Sequence, residues 1–251
     1  MRVACLYYGQ PRFTENPYCY ESHKKFIFDR YDTDIYAHLW WDDDDANQWD
    51  RSHVSSDWEF STWLQMEQCP KDRYDLNRFI EKWKPHHLIT EKPKDFSNDE
   101  MYSLVEKKFD GERFHKKNFH NQLSQLYSIE QVGKLLEKVG YTYDFIITIR
   151  TDINIWDYPD LHELQSNKFY LSSHSPHFPD LGFIFGRRYK EFLNAYTHTM
   201  NGLVNLDECW APVAEAFKYS CYNRYYSQND LVRIPLPLRL VRGVDCKGPT
   251  W

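Results

Sequence analysis

The chain has 251 residues, with 31 basic side chains against 37 acidic ones and a formal net charge of −6. No global positive field exists to hold a phosphate backbone, so nucleic acid is excluded as a main partner. No stretch approaches the roughly 20 consecutive apolar residues that cross a bilayer, so the composition leads to the expectation of a soluble, cytoplasmic protein.

Residues 3–8 are an apolar run that predicts a first strand, entered from Met1 without the basic region, long apolar core or cleavage site of a leader. Gly9-Gln10-Pro11-Arg12 then supplies turn chemistry, and residues 20–28 have helical character, which together make a βα unit. A second strand is expected over residues 34–40, after the turn-prone Tyr31-Asp32-Thr33, and a third near residues 87–90 after Pro85. Residues 42–75 combine the run Asp42 to Asp45 with several tryptophans and few aliphatics, and read as an irregular insertion. The acidic run lacks the alternating ligands and the glycine of a calcium loop, so a solvated loop is expected there.

From residue 118 to residue 139, Phe119, Leu123, Leu126, Ile129, Val132, Leu136 and Val139 recur every three or four positions, the helical period, and Gly140 ends the run. Gly133 inside that helix costs about 1 kcal/mol relative to alanine, which predicts close approach by a neighbouring strand. Phe145 to Ile149 follow without a charge and are rich in isoleucine, as in a parallel strand covered on both faces. Strands are also expected at residues 168–172 and 181–186, with an amphipathic helix at 189–200 and another helix at 207–219. Pro235 and Pro237 require residues 232–241 to be extended. This order of elements predicts an α/β fold: one Rossmann-like domain over residues 1–251, its mostly parallel central sheet flanked by helices. Six cysteines, at positions 5, 19, 69, 209, 221 and 246, form no C-x-x-C pair and read as reduced thiols.

The apolar run at 145–149 ends abruptly in Arg150, Asp152 and Asn154. In open α/β sheets ligands bind beyond the carboxyl ends of the strands, so charge placed here sits where a substrate would be held. Asp152 and Asn154, spaced acid-x-amide, present two oxygens suited to a hard cation such as Mg²⁺ or Mn²⁺. Duller readings stand beside these. Asp152 also suits a turn cap, Arg150 a simple ion pair with Asp152, and Gly9 turn geometry alone. His174 and His177 suit a metal pair less well than a surface loop, and Arg239 and Arg242 either reach back to a ligand at the strand ends or lie over apolar surface.

The acid-x-amide pair after a central strand resembles the short acidic motif, D-x-D and its variants, of glycosyltransferases with the GT-A fold. Several segments resemble one branch of those enzymes, found in bacteria and viruses, that opens with a strand and G-Q-x-R. Gly9, Gln10 and Arg12 match that opening, and residues 34–40 match a D-x-Y-x-H-x-W strand. Residues 125–129 with 143–152 match an L-Y-S-I helix leading into Y-D-x-I-I-x-x-R-T-D. The resemblance covers most of the chain. It implies a nucleotide-binding half over about residues 1–155, in which Gly9, Gln10 and Arg12 cradle the nucleoside. Arg150 and Asp152 would meet the diphosphate and, with Asn154, a divalent cation. It implies an acceptor-side half over about residues 156–251, with Asp180 on the wall facing the sugar and Glu208 as the base that activates the acceptor hydroxyl. Asp207 and Glu208 equally suit the first turn of a helix, where the dipole favours acids. Asn154 stands where the motif has its second carboxylate, and a neutral amide holds a cation less strongly.

The expected function is transfer of a sugar from a nucleotide-sugar donor to a glycan or polysaccharide acceptor, with manganese or magnesium at the donor diphosphate. An aromatic content of 18% suits rings that line sugar clefts. That feature alone also fits a non-catalytic carbohydrate-binding protein. A sugar-phosphate nucleotidyltransferase is a third class, but the lone Gly9 with only Arg12 nearby lacks its glycine-rich, basic phosphate loop.

Overall fold

The first strand, β1 (Arg2–Gly9), shows how the sequence builds a sheet covered on both faces. Val3, Cys5 and Tyr7 enter one hydrophobic cluster while Ala4, Leu6 and Tyr8 enter another, as the two-residue period of a strand requires. All six are at most 1% exposed. Full burial of a large aliphatic or aromatic side chain contributes about 1.5–3 kcal/mol, so this strand anchors both layers.

The computed structural model describes residues 1–11, 14, 17–43, 76–108, 116–140, 142–172, 182–204, 230–236 and 238–240. After β1 come helix α1 (Pro17–His23), a π-helical turn Lys24–Phe28, and strand β2 (Asp32–Trp40). Helix α2 (Leu76–Trp83) leads to β3 (His87–Glu91). Helices α3 (Glu100–Lys108) and α4 (Lys116–Val139) lead to β4 (Phe145–Ile149) and the short β5 (Ile153–Ile155). Then follow β6 (Phe169–Ser172), β7 (Gly182–Phe185), α5 (Ala195–Val204), β8 (Leu231–Ile234) and β9 (Leu238–Leu240).

The protein is α/β, with a seven-stranded sheet ordered β3-β2-β1-β4-β7-β6-β8. Strands β1, β2, β3 and β4 run parallel, β6 and β8 are parallel to each other, and β7 is antiparallel to both its neighbours. A second, two-stranded sheet pairs β5 with β9. The buried residues of α4 pack on the face that carries Leu6 and Ile146, while the π-helical turn and α2 pack on the face that carries Tyr7 and Ile147. The crossovers that step outward through β2 and β3 therefore lie opposite the one that returns to β4. The strand order reverses between β1 and β4, and a crevice at such a reversal opens at the carboxyl ends of the strands.

The structure revises two of the sequence expectations. Gly133 does make a close approach, but to a helix and not to a strand: a Cβ there would lie 2.7 Å from the Cβ of Leu193. The helix expected over residues 189–200 is broken. Arg187–Leu193 is a 3₁₀ helix with non-helical angles at Tyr189, and α5 starts only at Ala195, after Asn194. Tyr189, Phe192 and Leu193 are buried, and a 3₁₀ segment turns those large side chains inward together. The expected helix at 207–219 and residues 44–75 of the expected insertion lie outside the described residues.

Candidate functional site at the carboxyl ends of β1 and β4

Strand β4 ends at Ile149, which lies opposite Tyr7 in the parallel register with β1. Extending that register places Thr151 beside the Gly9-Gln10 turn, and the Thr151 hydroxyl donates to the Gln10 carbonyl at 3.0 Å. The two segments singled out in the sequence, 9–10 and 150–152, are thus joined at the reversal of strand order. Gly9 has φ of +96°, a left-handed conformation that side chains rarely tolerate, although a Cβ would meet nothing within 4 Å. The backbone and not the space requires glycine there.

Arg150 and Asp152 form a bidentate pair: Nε donates to Oδ1 at 2.8 Å and Nη2 to Oδ2 at 2.7 Å. The Asp152 side chain is 2% exposed and that of Arg150 is 20% exposed. The planar fork of the guanidinium matches both carboxylate oxygens, so the aspartate fixes the arginine's orientation at the rim. Asp152 therefore does not look out into an open cleft; Arg150 is the member of the pair that reaches the surface.

Asn154 lies within β5, opposite Arg239 of β9, and is 2% exposed. Its Oδ1 is buried without a hydrogen-bond partner. That orphaned acceptor suits a ligand, but the rest of the donor set does not fit a divalent cation. Both Asp152 oxygens already accept from one guanidinium, whose charge repels a metal placed beside it. Among the described residues no three His, Cys, Asp or Glu side chains come together as a metal site. Arg12, Asp180 and Glu208 lie outside the described residues.

Two buried histidines, unassigned by the sequence reading, support this rim from opposite faces of the sheet. His23 lies in α1 with Nε2 2.9 Å from the Ile153 carbonyl and Nδ1 2.5 Å from the Tyr7 hydroxyl. A carbonyl only accepts, so Nε2 carries a proton, and in the neutral ring Nδ1 accepts from the tyrosine hydroxyl. Burial pushes its pKa down from 6.5 to about 4, opposed by the Ile153 hydrogen bond and by the charge of Asp152. Ser22 adds a second support, accepting from the Ile155 amide at 3.1 Å. Side chains of α1 thereby satisfy the edge of β5 that β9 leaves open.

On the other face, the Gly9 amide donates to Ser128 Oγ at 2.8 Å, and that oxygen lies 2.7 Å from His38 Nδ1 and 3.1 Å from the His38 carbonyl. His38 and Ser128 are fully buried. Burial lowers the His38 pKa from 6.5 to about 4, against the pull of Glu91. The Nε2–Oε1 separation to Glu91 is 3.6 Å, too long for a hydrogen bond. The sequence carries a signal for both residues. His38 interrupts the apolar strand at 35–40, and Ser128 falls between Leu126 and Ile129 on the inward face of α4. A polar group at a core position must find a partner.

The amino-terminal end of the sheet instead carries a polar cluster around Asp34. Asp34 accepts from Arg2 Nη2 at 2.9 Å and from the Tyr143 hydroxyl at 2.6 Å, and His86 Nε2 lies 3.1 Å away. No described helix is long and apolar enough to cross a membrane. No protein-family model matches the chain, and no curated protein matches it.

Proposed function

We propose that the protein is a glycosyltransferase that moves a sugar from a nucleotide-sugar donor to a glycan or polysaccharide acceptor. The observation that supports this reading best is the junction of the Gly9-Gln10 turn with Arg150–Asp152 at the reversal of strand order. In this reading the donor's nucleoside lies against the glycine turn, and the Arg150 guanidinium faces the diphosphate. Charge that develops on the departing diphosphate is stabilised by a cation that is already oriented, so little reorganisation accompanies bond breaking. Asp152 is a positioning residue that holds Arg150 in place. The family resemblance offers Glu208 as the base that takes the acceptor proton and Asp180 as a contact to the sugar; both lie outside the described residues.

Manganese or magnesium at the diphosphate enters the proposal only through its test, because a cation at Asp152 must first displace Arg150. The decisive experiment is a hydrolysis screen of UDP-, GDP-, CMP- and dTDP-sugars with and without Mn²⁺. One donor class is expected to be hydrolysed, and Arg150→Ala is expected to slow that hydrolysis about a hundredfold, the size of effect seen when one oriented donor is removed. Sugar binding without any nucleotide binding would select the non-catalytic carbohydrate-binding reading instead. An Arg150→Ala protein with full activity would reduce the pair to a turn clamp.

A further inference from the structure

Gly9 ends β1 with φ of +96°, and glycine populates both signs of φ, so its own backbone does not select that value. The turn is selected by what holds its two residues. On one side the Thr151 hydroxyl donates to the Gln10 carbonyl at 3.0 Å; on the other the Gly9 amide donates to a helix side chain, Ser128 Oγ of α4, at 2.8 Å. Behind Ser128 stands His38 of β2. The segments 9–12, 34–40 and 125–129, far apart in sequence, thus each contribute one residue to a single chain of hydrogen bonds.

Ser128 Oγ lies 2.7 Å from His38 Nδ1 and donates to the His38 carbonyl at 3.1 Å. A hydroxyl has one proton and two lone pairs, so serving all three partners at once requires Nδ1 to carry a proton and donate it. The imidazole is fully buried and stands edge-on to Trp40, 4.9 Å away between centroids, and to Tyr127 at 6.0 Å. Its Nε2 has no hydrogen-bond partner. A buried nitrogen left in that state costs about 1–3 kcal/mol, so an imidazole is a poor filler for this core position and its contribution lies at Nδ1. Packing fixes the ring, the ring fixes the hydroxyl, and the hydroxyl fixes the amide of the turn.

We infer, on the glycosyltransferase reading above, that His38 and Ser128 are positioning residues for the donor. They hold the Gly9-Gln10 turn from behind in the form that receives the nucleoside, and so set nucleotide affinity without touching the nucleotide. A turn that is already ordered spares the ligand the cost of ordering it on binding.

The test is a calorimetric titration of the full chain with UDP, GDP, CDP and dTDP and with the matching monophosphates, beside thermal unfolding of each variant. Ser128→Ala is expected to weaken the diphosphate that binds about fivefold, the size of one neutral hydrogen bond. His38→Phe, which keeps a ring beside Trp40 and Tyr127 but has no Nδ1, is expected to do the same. The matching monophosphate should weaken by the same factor, because the turn meets the nucleoside, whereas Arg150→Ala should weaken the diphosphate more than the monophosphate. His38→Phe also removes the orphaned nitrogen, so its melting temperature is expected to hold or rise while its affinity falls, a divergence that a merely structural role would not give. If no nucleotide binds the unaltered protein, the glycosyltransferase reading falls and this inference with it. If one binds and both variants bind it equally well, or lose affinity for the diphosphate alone, the inference falls and the reading stands. Should both variants fail to fold, the His38 ring-nitrogen resonances of the unaltered protein decide: saturation with nucleotide is expected to move them, and unmoved resonances overturn the inference.

Discussion

Asp152 shows how one residue's surroundings change what its chemistry can be. A carboxylate with both oxygens engaged by a single guanidinium, and almost no exposure, is an anchor for that guanidinium. Its removal takes away the bidentate partner of Arg150, so truncation affects stability as well as turnover. Asp152→Asn replaces one acceptor by a donor facing a donor and is expected to destabilise the fold by about 2 kcal/mol, the order of a lost charged hydrogen bond. A double-mutant cycle with Arg150→Met, read from denaturant midpoints, should give a coupling energy above about 1 kcal/mol. Additive effects of the two changes would mean that the pair is not a unit.

At the scale of elements, α4 is held by a contact that helical periodicity does not reveal. Gly133 is poor for helix propensity, and alanine there would gain about 1 kcal/mol in an exposed helix. Here the new Cβ would lie 2.7 Å from Leu193 Cβ and 3.1 Å from the Leu193 carbonyl oxygen, and backbone cannot swing away as a flexible side chain can. Overpacking of this kind costs about 1–3 kcal/mol, so Gly133→Ala is expected to lower stability by about 1 kcal/mol net. Thermal unfolding of the variant checks the sign, and a raised melting temperature would show that the 3₁₀ segment yields. The β5 edge follows the same logic of local closure. Three residues cannot make a stable strand alone, and β5 persists because β9 pairs one edge while Ser22 and His23 bond the other.

For the molecule as a whole, the two buried histidines make stability depend on pH. Each has an ordinary value of 6.5 and is lowered to about 4 by burial in the folded chain. Between those values the unfolded chain binds protons that the folded chain does not. Stability is therefore complete above 6.5 and falls as pH drops toward 4, below which it levels off. For His23 the full loss is on the order of 3 kcal/mol. Denaturant midpoints are expected to fall between about pH 7 and about pH 5, and a His23→Gln/His38→Gln protein should show a flatter dependence than the unaltered chain. An unchanged slope in that double variant would place the titration elsewhere.

The amino-acid sequence by itself determined the α/β class, the strand at Phe145–Ile149 and the long helix ended by Gly140. Those follow from local period and from turn chemistry, which neighbouring residues decide. The tertiary structure alone decided that β7 is reversed, that Asn154 sits in a strand beside Arg239, and that the helix after Arg187 breaks at Asn194. It also decided which polar residues support the rim, since Ser128 and His38 are 90 positions apart. Partners at such separation are chosen by packing of the sheet and helix faces, and no local pattern encodes that choice. The same holds for Asp152, whose position at a strand end is legible in sequence while its burial under Arg150 is not, because exposure is a property of everything packed around a side chain.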